Sequence, residues 1–245
     1  MAKSKIDWTE EVWNPITGCT KYSSGCKNCY AERMAHRLKA MGCKRYENEF
    51  EVTVHRDLFK KPLDWQRPRT VFVNSMSDLF HENVSDSDIL EIFNVMNQAK
   101  QHTFQVLTKR SKRLLSLTDR INWTPNIWMG VSVEDADAIY RCEDLKRTDA
   151  MVKFISAEPL IGSINDIDLN GIDWVIVGGE SGFNCRPMVP EWVYEIQRKA
   201  KISNVPFFFK QWGGVHKTEK SKLLNGQTVH EYPIFLKKNK RGDIN

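Results

Sequence analysis

The chain has 245 residues, 41 % of them hydrophobic, with a formal net charge of +5 and a pI near 8.8. That length suits one large α/β domain, and no apolar run approaches the ~18 residues of a membrane span. Six cysteines in so long a chain, half of them clustered, do not match a secreted disulfide framework, and the short polar start before Asp7 and Glu10 is not a signal peptide. The expectation is therefore a cytoplasmic protein with no membrane partner.

Taken in order, Lys5–Val12 reads as a short first strand, broken at Trp13-Asn14-Pro15 because Pro15 forces Asn14 into extended geometry. A cysteine-rich loop follows, then a helix over Glu32–Met41 that stops at Gly42. Phe50–His55 alternates like a strand, and Asp57–Trp65 is a short helix or turn containing Pro62. From Val71 a rhythm sets in. Strands are expected at Val71–Val73, Phe104–Leu107, Ile127–Val133, Val152–Ile155, Trp174–Val177 and Pro206–Phe209. Helices are expected at Ser85–Ala99, Ser111–Leu117, up to about Lys146, and Pro190–Lys201, which has proline at its first position. In the first of these, Ser85 suits the cap and Ile89, Ile92, Phe93 and Met96 fall on one face.

Apolar strands alternating with helices, about 25–30 residues per unit, indicate a parallel sheet covered on both faces. Six to seven such units predict an α/β fold: a full or partial (β/α) TIM-like barrel, with a doubly wound open sheet as the alternative. The barrel is expected to occupy residues 1–214 as one domain. A polar tail, 215–245, follows, with a hairpin at Leu223–Val229 turning on Asn225-Gly226.

Reactive residue types gather in two places. The first is Cys19–Tyr30, where Cys19, Cys26 and Cys29 are spaced C-x6-C-x2-C on a Ser/Gly loop that enters a helix. Thiols near a helix N-terminus are expected to have lowered pKa values and to favour the metal-binding thiolate. Three thiolates without an evident fourth suit a cubane iron–sulfur cluster with one open iron. Zinc completed by Cys43 or His36 is the alternative.

The second place is the set of loops after the strands, where sites sit in parallel α/β folds. These loops carry Asn74, Ser75, Asp78, Lys109, Arg110, Ser132, Glu134, Glu158, Gly178-Gly179-Glu180, Lys210 and Gln211. Loops are polar in any case, but the pattern recurs at six strand ends. The spacing around Gly178 is neither a dinucleotide fingerprint nor a P-loop. His36, His55 and His81 read as surface or packing histidines. Trp212, after the last strand, is a candidate for stacking on a base. Basic clusters at Lys60-Lys61, Arg67–Arg69, Lys109–Arg113 and Lys237–Arg241 are able to meet phosphates, or simply form an ordinary basic surface.

The motifs W-N-P-x-x-G-C, C-x-x-C-Y-A-E, V-N-S-M-S-D-L-F-H, V-L-T-K-R, G-V-S-V-E, S-x-E-P-L, G-G-E-S-G and F-F-K-Q-W-G-G, spread from Trp8 to Gly214, resemble an uncharacterised family of phage and prophage proteins with a three-cysteine motif. More distantly, the cysteine loop, the barrel and the Gly-Gly-Glu segment resemble radical S-adenosylmethionine enzymes, and C-x-x-C-Y-A resembles the end of the cluster loop in the radical DNA-repair lyases. The gap of six between the first two cysteines is longer than usual there, and the Gly-Gly-Glu comes after a later strand.

That resemblance implies a 4Fe–4S cluster on Cys19, Cys26 and Cys29, its open iron chelating the amino and carboxylate groups of S-adenosylmethionine. An electron from a donor such as flavodoxin or ferredoxin would break the sulfur–C5′ bond and give a 5′-deoxyadenosyl radical. This would take a hydrogen from a nucleotide or nucleic-acid substrate. The resemblance assigns Asp78 or Ser75 to the methionine amino group, Lys109 to the carboxylate, and Ser132 and Glu134 to the ribose. Gly178 and Gly179 would approach the cofactor, while Glu158, Glu180, Arg186 and Lys210 would face substrate. The competing readings are a zinc-stabilised nucleic-acid- or partner-binding protein without catalysis, and a hydrolase or nuclease holding divalent metals on Asp78, Glu134, Glu158 and Glu180.

Overall fold

A computed structural model describes residues 6–215 and 218–233; the basic cluster at 237–241 lies outside the described residues. The strands are β1 (Glu11–Trp13), β2 (Ile16–Thr17), β3 (Thr53–Val54), β4 (Thr70–Val73), β5 (Thr103–Thr108), β6 (Ile127–Ser132), β7 (Val152–Ala157), β8 (Trp174–Gly178) and β9 (Phe207–Gln211). Seven form one sheet in the order β1-β4-β5-β6-β7-β8-β9, every adjacent pair parallel. β2 and β3 pair antiparallel beside it. The helices are α1 (Tyr30–Ala40), α2 (Asp86–Gln98), α3 (Ser111–Leu117), α4 (Tyr140–Lys146) and α5 (Pro190–Ile202). Among the described residues no helix is long and apolar enough to cross a membrane.

Local chemistry sets the helix boundaries. Ser85 accepts from the Asp88 amide at 3.1 Å and starts α2, whose Ile89, Ile92, Phe93 and Met96 are all buried. Cys29 occupies the N-cap position of α1 without a side-chain capping bond, and Gly42 ends the helix with φ +75° while donating to Lys39 O at 2.8 Å. The first strand differs from expectation. It covers Glu11–Trp13, because Trp8 leaves the strand line to fill the sheet's inner face.

The two faces follow from the two-residue period of a strand. Val71, Val73, Phe104, Val106, Met129, Val131, Ile155, Val175, Val177 and Phe209 face outward and pack on Ile89, Phe93, Leu114, Leu145, Val193 and Ile196 of the helices. Phe72, Trp128, Phe154, Trp174, Ile176 and Phe208 face inward with Trp8. The Trp8 ring is 4.7 Å from Phe72 on β4 and 6.3 Å from Trp174 on β8. In a flat sheet those strands would stand about 19 Å apart. One indole reaches both because the sheet curls.

The result is a curled half-barrel, the partial form of the expected full or partial barrel: β1 and β9 are not paired with each other. Side chains and the tail cover the gap instead. Val229 O accepts from Phe209 N at 2.8 Å, Phe207 O from Glu231 N at 3.1 Å, and Tyr232 packs 5.6 Å from Trp174. Lys222 pairs with Asp7 at 3.1 Å, tying tail to N-terminal segment. The expected hairpin is short: Leu224 bridges Gln227 across Asn225 and Gly226, both at positive φ.

Candidate functional site

The inner face changes character along the strand axis. Gly130, Phe154 and Trp174 lie in one row across β6, β7 and β8, and a Cβ on Gly130 would collide with the Phe154 ring. The glycine is the space into which the aromatic plug fits. One row higher, Ser132 is beside Ser156. Two residues further on, by the same period, come Glu134, Glu158 and, from β9, Lys210. The mouth at the C-terminal edge is therefore polar, above an aromatic floor.

Two cation–carboxylate pairs line that mouth. Lys210 Nζ is 2.8 Å from Glu158 Oε1, and Ser156 Oγ donates to the other Glu158 oxygen at 3.3 Å. Lys109 Nζ is 3.7 Å from Glu134 Oε1, while Arg141 donates to Glu134 Oε2 at 2.5 Å. Glu134 is fully buried. Burial raises its pKa, but Lys109, Arg141 and a hydrogen bond from Ser23 outweigh this and hold it below the ordinary carboxylate range.

The cysteine loop spans this mouth and is fastened at strand after strand. Near β5, Arg110 donates to Cys19 Sγ at 3.6 Å and to Thr20 Oγ1 at 3.1 Å. Near β6, Ser23 donates to Glu134 and Ser24 to Asp135 Oδ2, the latter at 2.6 Å. Gly25 rests on Glu134: a Cβ there would stand 2.6 Å from Oε1. Beyond β8, Asn28 donates to Glu180 Oε2 at 2.8 Å. Arg186 grips Glu180 at 2.6 Å and reaches back to Ser24 O at 2.9 Å. Tyr30, at the start of α1, donates to Ser75 O beside β4.

All three loop cysteines are free and partly buried. Burial pushes the Cys19 thiol up to about 11, helped by the Asp78 charge and opposed by Arg110. Burial also raises Cys29, against the amides of Glu32 and Ala31 at the head of α1. For Cys19 and Cys29 the expected lowering is thus corrected: at Cys29 the helix amides act as predicted, but desolvation exceeds them. Negative charge on Cys26 would raise both Cys19 and Cys29, so the three sulfurs share one neighbourhood. Among the described residues no three Cys, His, Asp or Glu side chains already converge as a metal site. In donor chemistry the three thiols fit an iron–sulfur cluster. His36 pairs instead with Glu49 at 3.4 Å, on the exposed side of α1.

The remaining residues divide by what they touch. Asp78 is buried and spends both oxygens inside the protein, on Thr108 Oγ1 at 2.6 Å, the Lys109 amide at 3.0 Å and Arg110 at 3.3 Å. It positions Arg110 under the loop. Ser75 Oγ donates to Asn14 at 3.3 Å. Gly178 leaves room for Glu158, whose Oε1 would lie 2.5 Å from a Cβ, and Gly179 for the Trp212 carbonyl. Glu180 is occupied as a latch by Arg186 and Asn28. Burial raises its pKa, but hydrogen bonds from Arg186 and Asn28 bring it down to about 2. Trp212 packs 5.0 Å from Phe209 and donates to Leu223 O at 2.9 Å, so its ring serves the tail.

Sequence pattern did not mark Asn28 or Arg141. Asn28 meets Glu180 across 152 positions, and Arg141 sits on a helix with no distinguishing motif.

No curated protein and no solved structure was found to match the chain. Residues 3–233 match the family described as "Protein of unknown function (DUF5131)", and the chain belongs to that family.

Proposed function

We propose that the protein is a radical S-adenosylmethionine-type iron–sulfur enzyme acting on a nucleotide or nucleic acid. The observation that carries this reading is the three-thiol loop fastened across the polar mouth of a curled parallel sheet. Cys19, Cys26 and Cys29 would hold the cluster. When bound, cluster and S-adenosylmethionine together supply one-electron chemistry able to remove hydrogen from an unactivated carbon, the electron coming from an external reductant of the flavodoxin or ferredoxin type.

The chain's own residues bind, orient and exclude water. The Lys210–Glu158 pair offers one cation and one carboxylate in the mouth, suited to a zwitterionic amino acid or a phosphorylated sugar. Lys109, beside Glu134, is the counterpart on the other side. Asp78, through Arg110, and Glu180, through Arg186, act as positioning residues that keep the loop seated. The aromatic floor built on Trp8 and Trp174 keeps water from the base of the mouth.

The test is anaerobic purification followed by iron, sulfide and zinc analysis and a visible spectrum, for wild type and Cys26→Ala. Brown protein with about four irons and four sulfides per chain, lost in the variant, is the expected result. Release of 5′-deoxyadenosine on adding S-adenosylmethionine and dithionite completes it. Colourless protein with one tightly held zinc would overturn the reading in favour of a non-catalytic binding protein.

A further inference from the structure

Phe183 stands on the loop after Glu180 with 72 % of its surface exposed. Leaving such a ring in water forgoes the favourable burial of its apolar surface. A loose loop would fold it away, but this backbone is clamped. Arg33 donates to Phe183 O at 3.2 Å and to Ser181 O at 3.1 Å. Asn28 donates to Asn184 O at 2.9 Å, and Gly182 N donates to Gly214 O at 2.9 Å. Gly182 and Asn184, at φ +102° and +59°, turn the chain on either side of Phe183. The ring is held outward by its own main chain.

Next to it lies a cavity of about 240 Å³ bounded by Lys27, Asn28, Cys29, Glu32, Arg33 and Phe183. Glu32 is neutralised by Lys21 at 3.4 Å. Arg33 donates only to carbonyls, and among the described residues no carboxylate lies within ion-pair distance of Lys27 or Arg33. The cavity therefore combines a fixed, exposed aromatic face with two uncompensated cations, on a chain of net charge +5. It is below the roughly 300–1,000 Å³ of pockets that engulf drug-sized ligands, so it takes one base or one sugar–phosphate at a time. Aromatic face plus cations is the arrangement that holds single-stranded nucleic acid, base stacked on ring and phosphate beside cation.

We infer that Phe183, Lys27 and Arg33 form a platform for single-stranded nucleic acid that leads a strand past Cys29. This rests on the nucleic-acid reading above and narrows its substrate class to an unpaired strand.

The test is fluorescence anisotropy with labelled oligothymidylate and oligouridylate of about 12 nucleotides, alongside the matching duplex and a mononucleotide. Wild type, Phe183→Ala, Phe183→Trp and Lys27→Ala are compared at several salt concentrations, with iron and sulfide measured on the same samples. Stacking of one base implies about tenfold weaker binding for Phe183→Ala and retained binding for Phe183→Trp. Lys27→Ala reduces the salt slope by about 0.7. DNA and RNA arms differ only if the strand's 2′-hydroxyl is read. The Phe183 variants should melt like wild type, because the ring packs on little.

Unchanged affinity of Phe183→Ala would overturn the inference, as would binding only to duplex or mononucleotide. Brown, active protein that ignores both oligonucleotides overturns the platform alone. Colourless protein with Phe183-dependent binding supports the platform and removes the radical reading.

Discussion

Lys210 Nζ lies 2.8 Å from Glu158 Oε1, and Gly178 lets them meet by leaving out a side chain that would stand 2.5 Å from that same oxygen. Both side chains are mostly buried, at 20 % and 15 % exposure. Removing one partner of such a pair strands the other, which costs more than removing both. Lys210→Ala should therefore destabilise the protein by about 1–3 kcal/mol. The double variant Lys210→Ala/Glu158→Gln should recover most of that loss. A double variant that melts below the single one would show that the pair is not the reason. Both should bind S-adenosylmethionine more weakly than wild type under the proposed function.

Gly25 is the contact between the cysteine loop and Glu134. Gly25→Ala puts a methyl against that buried carboxylate, which is also held by Arg141 and Ser23 and cannot retreat easily. The expected outcome is an unseated loop on an intact sheet. Hydrogen exchange should rise over residues 19–29 and stay unchanged in β6 and β7, with reduced iron uptake. Uniform protection in the loop would mean that Gly25 is dispensable.

The Glu180 latch has a pH signature. Its folded pKa of about 2 lies below the ordinary 4.5, so the latch stabilises fully above pH 4.5 and is lost as pH falls toward 2. The stability gap between wild type and Glu180→Gln should be constant from pH 5 to 7 and should shrink between about pH 4.5 and 2. Denaturant midpoints across that range measure it. A gap that widens on acidification would contradict the charge-based account of the clamp.

Much of the fold was readable because each strand–helix unit is locally consistent: Ser85 with Ile89, Ile92 and Met96, or Pro190 at the head of α5. The residues at the strand ends were readable for the same reason, since parallel strands deliver their C-terminal loops to one edge. Closure was not readable. Whether β1 meets β9 depends on accumulated curl, and the sequence holds no local mark of it. The clamps were not readable either, since Asn28 to Glu180 spans 152 positions and Ser23 to Glu134 spans 111. The thiol pKa values went astray because a helix N-terminus is visible in a sequence while burial of Cys19 and Cys29 is not.

Trp8 tests the curl directly. Its ring touches Phe72, Phe154 and Trp174, from three strands that only a curled sheet brings around one side chain. It is 4 % exposed, so Trp8→Ala should cost about 3–5 kcal/mol, through lost transfer energy and a cavity at the junction of N-terminal segment and sheet. Its indole Nε1 is buried without a hydrogen-bond partner among the described residues. Trp8→Phe gives up no hydrogen bond, removes an unsatisfied donor and keeps a ring in the plug, and should cost clearly less than Trp8→Ala. Chemical denaturation of the two variants separates the alternatives. A Phe variant as damaged as the Ala variant would mean that Nε1 does find a partner. An Ala variant near wild type would mean that the sheet holds its curl without the plug, through the outer helices alone.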